Sequence, residues 1–223
     1  VERACHDLIL SKTFDNGMIC ASEQAAIVDA AIVKDFERCM TENGCYFLHG
    51  GEIEKVSRYV INTEKGAVNP EVVGQCAFKI AQRAGVEVPE DTKILLAKLE
   101  GVGAQYPLSR EKLSPVLAYY VVKDWKEGIQ RSEEMVEFGG LGHSAVVHTE
   151  NGEVLEAFQH RIKAGRLIVN APSSQGAIGD IYNTNMPSLT LGCGSFGGNS
   201  VSTNVTVVNL INKKRVAKRR VNM

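Results

Sequence analysis

Apolar positions recur along this chain in two periods. Continuous apolar runs stand at Ala25–Val28, Lys93–Leu99 and Pro115–Val122, and predict strands buried on both faces. Helix-period segments lie between them. The first covers roughly 31–42, with Asp29 as its cap and Asn43-Gly44 as its end. The next two are Glu52–Ile61 and Pro70–Arg83, the latter opening on proline and stopped by Gly85. The chain begins in what reads as a helix, Val1–Lys12, with Ala4, Leu8 and Ile9 on one apolar face, Leu10 flanking it, and Asn16-Gly17 breaking it.

The second half repeats the alternation. Lys126–Phe138 is amphipathic through Ile129, Met135, Val136 and Phe138, and stops at Gly139-Gly140. Ser144–His148 predicts a strand, Glu153–Lys163 a helix stopped by Gly165, and Arg166–Asn170 another strand. Strands alternating with helices of this length predict an α/β fold, a mostly parallel sheet with helices on both faces. From Ala171 to Ser200 the pattern gives way to Gly, Ser, Asn and Pro, a length at which a loop is functional or disordered. Asn209–Arg220 reads as helical again and is strongly basic.

Composition adds bounds. The 223 residues are 44% hydrophobic and 23% charged, enough for a sizeable core. A formal net charge of -1 argues against a protein built as a whole to coat nucleic acid or an anionic membrane. No apolar run reaches the roughly 18 residues of a membrane span, and no signal peptide is evident. The start at Val1, inside a helical pattern, reads as part of a longer protein. The six cysteines include no C-x-x-C pair, so neither a zinc ribbon nor a thioredoxin-like site is expected, no metal is expected, and a cytoplasmic location is. Asn204-Val205-Thr206 matches a glycosylation acceptor, by chance in a cytoplasmic protein.

Candidate chemistry centres on Cys20, just past Asn16-Gly17 and just before a buried run. A bend there leaves backbone N–H groups free to stabilise an oxyanion, and a nucleophilic thiol needs such help because it is mostly protonated at neutral pH. A buried structural cysteine fits the same pattern. Cys193, between Gly192 and Gly194, is a rival or a small residue in a packed loop. His143 follows the glycines at 139, 140 and 142 as a general base or a backbone-bonded histidine. Glu111, ahead of a buried strand, is placed to hold a ribose hydroxyl or to be a solvated charge. Neither glycine run gives G-x-G-x-x-G between a strand and a helix, and no G-x-x-x-x-G-K-[ST] exists, so the chain shows no dinucleotide fold of its own. Lys213, Lys214, Arg215, Lys218, Arg219 and Arg220 form a nucleic-acid patch or a solvated connector.

The stretch Ser11–Gln24, reading SKTFDNGMICASEQ, closely resembles the nucleophile segment of CoA-acylating aldehyde dehydrogenases. Glu111-Lys112-Leu113-Ser114-Pro115-Val116 resembles the Glu-x-Phe-Gly-Pro motif of the wider superfamily, and Ser195–Ser200 its Pro-Phe-Gly-Gly motif. Pro172–Gly176 through Pro187–Gly194 resembles the acylating branch. Leu210–Lys214 to Asn222-Met223 resembles the junction into the alcohol dehydrogenase half of bifunctional aldehyde-alcohol dehydrogenases.

The resemblance implies an aldehyde dehydrogenase catalytic domain over 1–204, a basic connector over 205–223 toward a missing alcohol dehydrogenase domain, and a missing Rossmann-like coenzyme domain. It implies reversible conversion of acetyl-CoA and NADH to acetaldehyde, CoA and NAD through a thioester on Cys20. Glu111 carries over as the nicotinamide-ribose contact, His143 as base or proton relay for the CoA thiol, and Phe196 and Asn199 as residues at the site mouth. Leu113 departs from the aromatic found two residues after the glutamate. The implied partners are small-molecule substrates and further copies of the chain, with filaments in the full-length protein and no nucleic acid or membrane. Little dehydrogenase activity is expected of these residues alone. The alternative is an assembly module without catalysis of its own.

Overall fold

The computed structural model describes residues 1–220. The resemblance at Asn222-Met223 and the end of the expected connector lie outside the described residues. In chain order the elements are α1 (Glu2–Thr13), β1 (Ala25–Asp29), α2 (Val33–Glu42), β2 (Cys45–Phe47), α3 (Gly51–Val60), β3 (Ile61–Asn62), β4 (Ala67–Val68), α4 (Ala77–Ala84), β5 (Ile94–Lys98), β6 (Val116–Val122), α5 (Trp125–Gly139), β7 (Gly142–Val147), α6 (Gly152–Arg161), β8 (Ala164–Val169), α7 (Ser173–Ile178) and α8 (Val207–Leu210).

The expected α/β architecture is present, and its strands fall into separate sheets. The main sheet is parallel, in the order β1-β6-β5-β2. Its central strands bury alternate residues on opposite faces, the period-2 consequence of a pleated strand. Along β5, Ile94 and Leu96 join a core with Phe36, Met40 and Tyr119, under α1 and α2. Leu95 and Ala97 join the opposite core with Val56, Val60, Ile80 and Leu108, under α3 and α4. A second parallel pair, β7-β8, packs through Ala145, Val147 and Ala164 on Ile129 and Phe158 of α5 and α6. β3 and β4 form a short antiparallel pair.

Several expectations are corrected. Pro70–Arg83 is not one helix: Pro70–Val72 is a 3-10 turn, Gly74 takes a left-handed φ of 71°, and the helix begins only at Ala77. The Gly74 N–H is used elsewhere, donating to the Leu113 carbonyl at 3.1 Å. Asp29 does not cap α2; its carboxylate accepts from the Ala31 N–H in the turn before it. Gly165 does not stop α6 but lies within β8, where an added Cβ would sit 2.9 Å from the Gly142 carbonyl. On α1 the buried positions include polar Asp7, Ser11 and Lys12 beside Cys5 and Leu8, while Leu10 is exposed. The basic tail is not a helix over 209–220. α8 ends at Leu210 and residues 211–220 have no regular structure, since Ile211 and Val216 alone give no apolar stripe to bury.

Candidate active site

α1 ends at Thr13, and the chain then reverses through Asp15, Asn16 and Gly17, all with left-handed φ of 49°, 50° and 71°. Asparagine, aspartate and glycine tolerate that region best, so this Asp-Asn-Gly triplet is what permits the turn. Glycine is required at position 17 by space as well: an added Cβ would lie 2.7 Å from the Ser114 carbonyl oxygen. A second reversal, closed by the Ser22 N–H on the Ile19 carbonyl at 2.9 Å, lifts Cys20 to an exposed apex above buried Ala21, Ser22 and Glu23.

That turn is clamped from below by polar groups. Ser174 on α7 accepts from the Ser11 hydroxyl at 2.9 Å and donates to the Ser11 carbonyl at 3.0 Å. The Ser173 hydroxyl donates to the Ala21 carbonyl at 2.8 Å, and the Ser173 N–H donates to the Glu23 carboxylate at 3.1 Å. Lys12, fully buried, donates to the Ser22 hydroxyl at 3.3 Å, and that hydroxyl donates to the Gly17 carbonyl at 3.2 Å. On the other side the buried Lys112 ammonium donates to the carbonyls of Leu108 and Arg110 at 2.7 Å and of Gln24 at 3.1 Å. Its backbone N–H donates to the Gln24 side chain at 3.1 Å. Asn16 reaches across to the Gly74 carbonyl at 3.0 Å.

Burial moves the charges of this network. It lowers Lys12 to about 8, opposed by Glu23 and Glu111, and raises Glu23 to about 7 against hydrogen bonds from Ser11, its own backbone and Ser173. Lys112 is pushed well below the usual lysine range by burial and by Lys12. The Cys20 thiol is raised, first by burial and then by the Glu111 carboxylate. The backbone N–H groups of Cys20 and Ala21 pull the other way, and Cys193 adds a smaller raising effect. The turn therefore does not depress the thiol pKa.

Cys20 and Glu111 are thus brought within electrostatic reach, with Glu111 exposed and its carboxylate making no hydrogen bond among the described residues. His143 stands half-buried on β7, its Nδ1 3.0 Å from the Ser144 hydroxyl, and burial together with Arg166 lowers its pKa. No hydrogen bond joins His143 to Cys20 or Glu111 among the described residues. Phe196 is 52% exposed in the 3-10 turn Ser195–Gly197. That turn lies on the start of β7: a Cβ on Gly142 would fall 2.1 Å from the Cys193 carbonyl oxygen, and one on Gly197 2.9 Å from that of Leu141. Asn199 accepts from the Cys193 N–H at 2.8 Å, holding its own loop. Among the described residues no group of three or more His, Cys, Asp or Glu is arranged to hold a metal ion.

Sequence reasoning missed the clamp. Lys12, Glu23 and Lys112 were not singled out, and Ser173 and Ser174 fell in a loop rather than a buried helix. The one available signal was the place of Lys12 four residues after Leu8, on the same helical face.

No protein-family model matches the chain. It is 45% identical over its full length to the aldehyde-alcohol dehydrogenase of Streptococcus pneumoniae serotype 4 and 44% identical to the bifunctional aldehyde-alcohol dehydrogenase AdhE of Escherichia coli K12. It spans about a quarter of those curated relatives, 26% and 25% of their lengths. It superposes on an acetylating aldehyde dehydrogenase from Geobacillus thermoglucosidasius with a TM-score of 0.92 and 44% identity, covering all of this chain and 49% of that one. The motifs, the fold and these matches agree: along its whole length the chain is similar to part of the aldehyde-alcohol dehydrogenases and to about half of an acetylating aldehyde dehydrogenase.

Proposed function

We propose that this chain carries the thiol-bearing part of an NAD-dependent acylating aldehyde dehydrogenase, interconverting acetyl-CoA and acetaldehyde through a thioester on Cys20. The observation that supports it most directly is the exposed Cys20 at the turn, with the backbone N–H groups of Cys20 and Ala21 and the Glu111 carboxylate near enough to act on its thiol. In the oxidative direction the sulfur attacks the aldehyde carbonyl carbon. The carbonyl π pair moves to oxygen, where a turn N–H stabilises the negative charge. A bound nicotinamide coenzyme supplies the hydride acceptor. The acyl group left on Cys20 then passes to the thiolate of CoA, and the Cys20 sulfur leaves. Glu111, with free acceptor oxygens, fits a contact with ribose hydroxyls, and the exposed Phe196 ring is proposed as a second coenzyme contact. His143, kept neutral by burial and by Arg166, takes the role of proton acceptor for the CoA thiol.

In the acyl-transfer direction no hydride is needed. Incubating the 223-residue chain with acetyl-CoA should place an acetyl group on Cys20, removable by hydroxylamine and absent in Cys20→Ala. Acetylation elsewhere, or none, would overturn the assignment. Little NADH-dependent reduction of acetyl-CoA is expected of these residues alone, since their one G-x-G-x-x-G run, Gly192–Gly197, does not join a strand to a helix as a phosphate turn does. A robust rate would contradict that.

The second reading, an assembly module, is favoured by the apolar side chains exposed after Gly179. Ile181, Met186, Leu189, Leu210 and Val216 are each at least 70% exposed. Self-association, in place of acyl transfer, is the behaviour it predicts. Residues 205–223 act on either reading as a connector. No helix among the described residues is long and apolar enough to cross a membrane, and a cytoplasmic enzyme acting on small molecules is proposed.

A further inference from the structure

Lys112 is the point at which the Cys20 and Glu111 segments are tied together. Its ammonium has its three N–H donors matched by three carbonyls: Gln24 from the nucleophile segment, and Leu108 and Arg110 from the segment leading to Glu111. Its backbone N–H holds the Gln24 side chain as well. A fully buried cation is costly unless its donors are all satisfied, and here they are. The same lysine sits next in sequence to Glu111 and, through Gln24, on the strand entry four residues past Cys20. Leu113 follows with a left-handed φ of 46°, its carbonyl held by the Gly74 N–H, so the segment has little freedom to settle elsewhere.

We propose that Lys112 is a positioning residue that fixes the spacing between the Cys20 thiol and the Glu111 carboxylate. The inference rests on Cys20 and Glu111 sharing one site. It assigns the spacing to a buried ammonium instead of to the packing of the two segments alone. Lys112 touches neither substrate nor coenzyme. Its effect reaches the site through the Gln24 and Arg110 carbonyls.

A purely structural lysine would change stability and leave the dialogue between Cys20 and Glu111 intact, so the test measures that dialogue. The charged and titratable groups acting on the Cys20 thiol are Glu111 and Cys193, and those acting on Lys112 are Lys12 and Glu111. The rate of Cys20 alkylation by iodoacetamide, mapped by peptide mass, is followed against pH in the parent chain, Glu111→Gln, Lys112→Met and the double variant. Glu111→Gln should move the parental profile to lower pH, because it removes the carboxylate that holds the thiol protonated. In the Lys112→Met background the same change should produce no more than about half that shift. Equal shifts in both backgrounds, or no shift in the parent, would overturn the proposal. Should Lys112→Met fail to fold, Gln24→Leu removes the acceptor of the Lys112 backbone N–H together with the Gln24 amide's hydrogen bond to the Ser22 carbonyl, and the same cycle with Glu111→Gln gives the answer. The cycle is independent of acetyl transfer: loss of acetylation with the coupling intact removes the proposed reaction and leaves the positioning role standing.

Discussion

Cys20, three residues past Gly17, and Cys193, between two glycines, both sit in tight turns, and the two turns are held differently. Around Cys20 the supports are side chains from distant segments: the Ser11 and Ser174 hydroxyls, Ser173, Lys12 and Lys112, all buried. Around Cys193 the supports are close backbone packing against Gly142 and Gly197, the nearby Asn199 side chain, and Arg166 reaching the Gly192 and Ser202 carbonyls. The first arrangement fixes the turn that carries an exposed thiol. The second closes a glycine loop over the edge of β7. Burying polar groups is costly unless each finds its partner, so such a clamp persists where a precise geometry is needed.

The sharpest way to break the contrast is to add one methyl group to each turn. Gly17→Ala places a Cβ against Ser114 at a left-handed φ, and should cost about 3 kcal/mol of unfolding free energy. Gly198, also left-handed at 72°, has nothing within 4 Å, and Gly198→Ala should cost only about 1 kcal/mol. Urea denaturation checks both. Equal costs would mean that the Cys20 turn is no more constrained than the loop at Cys193.

A smaller effect lies in the buried carboxylate. Burial holds Glu23 at about 7 in the fold against an ordinary 4.5. The stability tied to its protonated form is full below about 4.5 and is lost as pH rises through about 7. Lys12 runs the other way: lowered to about 8 from 10.5, it favours the fold above 10.5 and loses that contribution as pH falls through about 8. Glu23→Gln should therefore gain urea midpoint over the parent as pH rises from about 5 to 7.5. A difference independent of pH would place Glu23 outside the titrating network. The smallest effect is expected at the other thiol: Cys193→Ser should change stability by no more than about 0.5 kcal/mol and leave Cys20 as the labelled cysteine.

The strands of the main sheet are legible in the sequence because apolar runs at 25–28, 93–99 and 115–122 have no polar face to mislead. The breaks are less so. Gly74 interrupts a helical pattern because its N–H is needed by Leu113, a partner far along the chain. α7 is invisible to periodicity because its buried face is serine, glutamine and glycine, paid for by hydrogen bonds to Ser11, Ala21 and Glu23. Cys20 and Glu111 were found by the motifs they belong to. The lysines beneath them were not, since a charged side chain is read as solvated until a fold supplies three carbonyls around it. The tail failed in the opposite sense: a pattern that tolerates a helix had nothing to pack against.

The central claim, that the fold singles out Cys20 as its nucleophile, is tested most directly by timed iodoacetamide labelling of the 223-residue chain with each cysteine quantified by mass. Cys5, Cys39 and Cys45 are buried, with burial pushing Cys5 and Cys45 up to about 12, and Cys76 and Cys193 are partly covered. Cys20 alone of the six is exposed, and it should be alkylated first and fastest, increasingly so as pH rises. Uniform slow labelling of all six, or Cys76 or Cys193 reacting ahead of Cys20, would contradict the account.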